Sequence, residues 1–130
     1  MNNFRIVRTG LLSILLAVFF ISSSFASDSN KWRLKTNGGA NSDGVLVLEF
    51  VPEGEEAFTV DISISDGTRE NRVANRIEET LKDELSRRDF RVERDDFEDV
   101  LIKKTMGSER FEINVVSNTV DGVKIKLRKE

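Results

Sequence analysis

Two runs of alternating hydrophobicity, VLVLEFV (Val45–Val51) and AFTVDISI (Ala57–Ile64), constrain this chain more than any other feature. The loop Pro52-Glu53-Gly54-Glu55-Glu56 separates them. When such a loop pairs Val51 with Ala57, Phe50 faces Phe58, Leu48 faces Val60 and Leu46 faces Ile62, and one face of the hairpin is wholly apolar. Thr59, Asp61 and Ser63 fall on the opposite, solvated face. The pattern predicts a half-buried antiparallel hairpin.

After Asp66-Gly67 the period changes. Val73, Ile77, Leu81 and Leu85 recur every four residues with Ala74 beside them, while Arg72, Arg76, Glu79, Lys82 and Asp83 face away. This predicts an amphipathic helix over roughly Arg69 to Arg87, with Thr68 as its N-cap and Glu70 in the first turn. The alternation then returns in RDFRVERD, DVLIKK, RFEINVV and GVKIKLRK. Pairing Val92 with Val100 sets Glu93 opposite Asp99 and closes a loop at Asp95-Asp96-Phe97. A turn at Thr105–Ser108 would bring Phe111 beside Ile102 and Ile113 beside Val100. Asp121-Gly122 resembles a two-residue hairpin turn, but that register sends the apolar sets of the last two strands to opposite faces. The core pattern should prevail, which requires a longer turn within residues 117–122 or a bulge near Val115-Val116. The expected fold is α+β: one antiparallel sheet of five to six strands, in the order ββαββββ, with the helix packed on one face.

The N-terminus carries an address. Arg5 and Arg8 precede the apolar run Leu11–Ile21, and Ser24-Phe25-Ala26 offers small residues before Ser27. This is the pattern of a secretory signal occupying residues 1–26, with export to the periplasm or cell exterior. The other reading is a retained anchor, since the stretch from Thr9 to Ser27 is uncharged and just long enough to span. With no cysteine in the chain, neither a lipid-modified cysteine nor a disulfide is available. Cleavage would leave 18 basic against 23 acidic residues, a balance that disfavours nucleic acid and anionic membranes as default partners. Residues 27–44, rich in Gly, Asn and Ser, read as a flexible lead-in to a single domain over residues 45–130. Trp32 within it is the exception. Val45, Val47 and Val51 need cover on the outer face of their strand, and Lys31-Trp32-Arg33-Leu34 is expected to pack there as an extra edge strand. The alternative is an exposed patch that meets a partner.

The chemistry available is narrow. Without His, Cys or Tyr, the usual nucleophile–base pairs and common zinc sites are absent. The turn before the helix, SDGTREN, has neither the glycines nor the lysine of a phosphate loop. No catalytic residue and no cofactor is assigned.

The stretch RDDFED (Arg94–Asp99) is the densest acidic feature. Glu93, Asp95, Asp96 and Asp99 are a candidate Ca²⁺ set, although their spacing matches no EF-hand and a solvated turn compensated by Arg91, Arg94 or Lys103 is the preferred reading. Gly38–Val45 resembles one calcium-binding β-roll repeat, but no second copy stacks on it. Lys103, Lys104, Lys124, Lys126, Arg128 and Lys129 are expected on an outer sheet face, either solvated or facing an anionic envelope polymer.

The module Gly67-Thr68, Val73-Ala74, Ile77 and Leu81, set behind two strands, resembles that of small exported bacterial proteins of uncharacterised function. Related modules in phage-tail and surface proteins act as structural or binding units. The resemblance implies a non-enzymatic interaction or envelope-associated structural module, monomeric or a weak homodimer, with Trp32, Lys124, Lys126 and Arg128 as candidate partner contacts. The alternative is a periplasmic ligand- or ion-binding accessory protein that uses the acidic hairpin or the basic sheet face.

Overall fold

A computed structural model describes residues 30–105 and 110–130. The expected export signal lies outside the described residues, as does most of the expected Thr105–Ser108 turn. The fold is α+β, and the described residues form one α-helix and seven strands in two antiparallel sheets. The strands are β1 (Lys31–Asn37), β2 (Gly44–Pro52), β3 (Phe58–Ile64), β4 (Phe90–Asp95), β5 (Asp99–Lys104), β6 (Phe111–Asn118) and β7 (Lys124–Lys129). Helix α1 (Glu70–Leu85) lies between β3 and β4 and runs into a short 3-10 turn, Ser86–Arg88.

The β2–β3 hairpin has the register that its alternation predicts: Phe50 pairs with Phe58, Leu48 with Val60 and Leu46 with Ile62. The single five- to six-stranded sheet is corrected. Two sheets form, ordered β4-β5-β1-β7 and β3-β2-β6. The segment read as a flexible lead-in with an edge strand at Lys31–Leu34 supplies β1, which is not an edge but takes the interior place between β5 and β7. Because β1 occupies the free side of β5, β6 does not continue the β4–β5 hairpin and pairs with β2 instead. The β4–β5 register is also slipped by two residues from expectation, with Val92 opposite Ile102 and Asp95 opposite Asp99. A slip of two preserves every face, so the hydrophobic pattern could not detect it.

The register conflict at the last turn does not arise, because β6 and β7 lie in different sheets and do not pair, and the bulge falls in the β2–β6 pairing. Val47 pairs with Ser117 and Leu48 with Val115, so Val116 is an extra residue in β6. Residues 119–123 then carry the chain from one sheet to the other, burying Val120 and Val123. The helix begins one residue later than expected. Arg69 stands at its N-cap without a side-chain bond, and Thr68 Oγ1 instead donates to the Ser65 carbonyl at 2.7 Å.

One core joins both sheets and the helix. It contains Leu46, Leu48, Phe50 and Ile62 from one sheet, Leu34, Val100 and Ile102 from the other, and Val73, Ile77, Leu81 and Leu85 from α1. The helix packs against β3 of the first sheet and against β4, β1 and β5 of the second, so it bridges them. Trp32 is buried, and its indole Nε1 donates to the Phe111 carbonyl at 2.8 Å, a direct link from β1 to β6. It therefore neither covers Val45, Val47 and Val51, which stay half-buried on β2, nor offers a surface to a partner.

The loop from residue 38 to residue 43 is pinned rather than loose. Gly38 N–H donates to Glu70 at 2.6 Å, Ala40 N–H to the Thr68 carbonyl at 2.8 Å, and Asn41 N–H to the Asp121 carbonyl at 2.8 Å. Gly38 has φ +85°, and a Cβ there would run into the Gly122 carbonyl oxygen. Only glycine allows this approach of the two turns.

Candidate functional site

The outer face of the four-stranded sheet is where the chain's charges are organised. Strand alternation sends Phe90, Val92, Val100, Ile102, Trp32 and Leu34 inward, so their neighbours form cross-strand rows on the other side. One row runs Asp95, Asp99, Lys35, Lys126; the next runs Glu93, Leu101, Arg33, Arg128. A third runs Arg91, Lys103, Lys31, and the Glu130 N–H continues it by donating to the Lys31 carbonyl. In the first two rows acid lies toward β4 and base toward β7. In the third the order is reversed.

Arg33 is the centre of this face. Its Nη1 lies 2.6 Å from Asp99 Oδ2 and 3.0 Å from Asp95 Oδ2, while Nε and Nη2 donate to Glu130 Oε1 at 2.9 and 2.7 Å. Its side chain is only 18 % exposed. Hydrogen bonds from Asp99 first, then Glu130, hold the guanidinium pKa above its ordinary value against the opposing effect of burial. Asp95 and Asp99 sit directly across the strand pair, an arrangement that is unfavourable for like charges, and Arg33 is the compensating cation. The question posed by RDDFED is answered by an arginine from a strand that the sequence pattern had expected at an edge, over Val45, Val47 and Val51, and that lies instead between β5 and β7.

The candidate Ca²⁺ residues do not converge. Asp95 and Asp99 are engaged by Arg33, Glu93 lies 3.6 Å from Arg91 on its own strand, and Asp96 occupies the exposed tip with φ +69°. Among the described residues, no group of three acids is placed to hold a metal ion. Phe97, beside Asp96, is exposed.

The expected basic stripe divides. Lys103, Lys124, Lys126 and Arg128 lie on the outer face. Lys129 projects to the inner side, its ammonium 5.7 Å from the Trp32 ring. Lys104 is buried: its Nζ meets Glu55 Oε2 at 2.9 Å and the Arg88 carbonyl at 3.3 Å, and stands 4.8 Å from the Phe90 ring centroid. Phe90 in turn packs edge-on against Phe111 and Phe50. Alternation places Lys104 inward, and its long stem lets the ammonium find partners at the end of the core.

Lys35 and Lys126 are cross-strand neighbours, and neither closes a salt bridge among the described residues. With Arg33, Asp99 and Arg128 they line a shallow depression of about 130 Å³. A larger open cleft, about 420 Å³, lies between β3 and α1 and includes Ser63, Thr68, Arg72 and Arg76. Arg76 Nε there donates to the Ser63 carbonyl at 3.0 Å, capping part of the β3 edge.

No protein-family model and no curated protein matches this chain. No helix among the described residues is long and apolar enough to cross a membrane. The fold and face define an α+β two-sheet module with a sorted charge array.

Proposed function

We propose that this chain is an exported, non-enzymatic interaction module, associated with the cell envelope, that meets its partner through the edges of the four-stranded sheet. The observation that carries the reading is that β4 and β7 are both edge strands of that sheet, and that on its outer face β4 presents Glu93 and Asp95 beside Arg91 while β7 presents only Lys124, Lys126 and Arg128. Edge strands are templates for pairing, and charged side chains restrict which partner they accept. The test is site-specific photo-crosslinking in the exporting cell, with the reactive group at Arg91 on β4, at Arg128 on β7 and at Glu84 on the exposed side of α1. Crosslinks from the two edges and none from Glu84 are expected. Equal labelling from the helix would refute the reading.

The cross-strand pair Lys35–Lys126, in which neither lysine closes a salt bridge among the described residues, favours a second reading, an accessory protein that binds an anionic polymer across β1 and β7. Polyphosphate titrated into the labelled protein would then shift the amides of Lys35, Lys126 and Arg128 saturably. Unchanged amide positions would discard it.

A further inference from the structure

We propose that the partner of these edges is a second copy of this chain, with β7 of one copy pairing antiparallel with β4 of the next, head to tail. The inference rests on the reading of β4 and β7 as contact edges and adds the identity of the occupant. Neighbouring strands in this sheet are antiparallel throughout, so β4 and β7 run in opposite directions. A copy shifted sideways along the sheet therefore sets its β4 antiparallel to β7 without being turned over.

The charge rows then continue in register. Lys126 meets Asp95 of the next copy, Arg128 meets Glu93, and Glu130 meets Arg91. All three contacts join opposite charges, including the row whose order is reversed. The two-fold alternatives are poorer. Pairing β7 with β7 about Lys126 opposes Lys124 and Arg128 as well as the two Lys126 side chains. Pairing β4 with β4 about Glu93 joins Arg91 to Asp95 but opposes glutamate to glutamate, and pairing about Val92 joins Arg91 to Glu93 but opposes Asp95 to Asp89. Like charges directly across a strand pair disfavour it, so the sorted edges select the head-to-tail contact against both symmetric ones. On the inner side, Ile125 and Leu127 of β7 are only partly buried. The β4–α1 layer of the next copy would extend over them. A contact of this kind does not close on itself and builds an open chain of subunits.

The test is sedimentation velocity on protein expressed full-length and purified after export, from micromolar to millimolar concentration and at low and high salt. The wild type is expected to form species larger than a dimer that dissociate as salt screens the contact. Arg128→Glu and Glu93→Arg should each lose assembly, and the double swap should regain it. Both side chains are well exposed, 68 % and 59 %, and an unchanged thermal melt verifies that each variant folds. A wild type that stays monomeric, an Arg128→Glu variant that still assembles, or folded singles with no recovery in the double swap would each overturn the proposal. A monomeric wild type with edge-specific crosslinks to another exported protein would overturn self-assembly alone. Absence of both would remove the interaction reading with it.

Discussion

Arg33 on β1 and Asp99 on β5 lie 2.6 Å apart, and the same guanidinium nitrogen reaches Asp95 on β4 at 3.0 Å. One cation thus ties three strands together on a face where two aspartates are directly opposed. Arg33→Leu should cost about 2 kcal/mol, the scale of a charged hydrogen-bond set that is only partly solvated. Adding Asp99→Asn should recover part of that loss, because it removes the remaining like-charge opposition. Urea denaturation of the two variants and the wild type measures both effects.

Lys104 and Glu55 predict an asymmetry. The lysine side chain is 1 % exposed and the glutamate 49 %. Lys104→Met keeps the volume under Phe90 and leaves Glu55 free to solvate, so stability should stay within about 1 kcal/mol of wild type. Glu55→Ala strands a buried ammonium on the Arg88 carbonyl and the Phe90 ring, and should cost about 2 kcal/mol. Equal losses from the two variants in chemical denaturation would contradict this account.

Glu70 and Glu98 join the helix start to the hairpin tip, and they make stability depend on pH. The Gly38 N–H, and after it a hydrogen bond with Glu98, lower the Glu70 pKa. The hydrogen bond with Glu70, and then its charge, raise that of Glu98. Below its raised folded pKa, Glu98 takes up a proton that the unfolded chain does not yet bind, so its contribution grows as pH falls toward the ordinary glutamate value. Glu70 contributes above that value, and its contribution is lost as pH falls through its lowered folded pKa. The pair is therefore most stabilising near the ordinary glutamate pKa. Glu98→Gln should abolish the gain on mild acidification while keeping the later loss, as thermal melts from neutral to acid pH would reveal.

Gly38 and Gly54 both have positive φ, but only Gly38 faces a neighbouring carbonyl. Gly54→Ala should cost about 1–2 kcal/mol, the left-handed backbone penalty alone. Gly38→Ala should cost clearly more, because the added Cβ also separates the loop from the Gly122 turn. Differential scanning calorimetry of the two variants gives the comparison.

The local periods were legible in the sequence. The alternation of Leu46, Leu48 and Phe50 against Val60 and Ile62 determined the β2–β3 hairpin and its register, since a one-residue error would have turned the apolar set to water. The four-residue stripe from Val73 to Leu85 determined the helix and its buried face. A bulge does fall at Val116, but against β2; the parity conflict around Asp121-Gly122 presumed a pairing of the last two strands that does not form. Trp32, Leu34 and Thr36 also alternate with Lys31, Arg33 and Lys35, so the signal for β1 was present. It supported a strand at Lys31–Leu34, but the Gly, Asn and Ser around it led to an edge position rather than the interior one between β5 and β7.

Only the tertiary structure decided what lies beside what. Nothing in the local pattern says that β1 intervenes between β5 and β7, because a strand's alternation records which face is buried and not which neighbour it pairs with. The β4–β5 slip was invisible for the same reason, since a shift of two residues keeps every side chain on its face. Yet that slip and that insertion bring Asp95, Asp99 and Arg33 together and sort the charges from β4 to β7. The sequence determined the faces through hydrophobic burial, and long-range strand pairing determined the site.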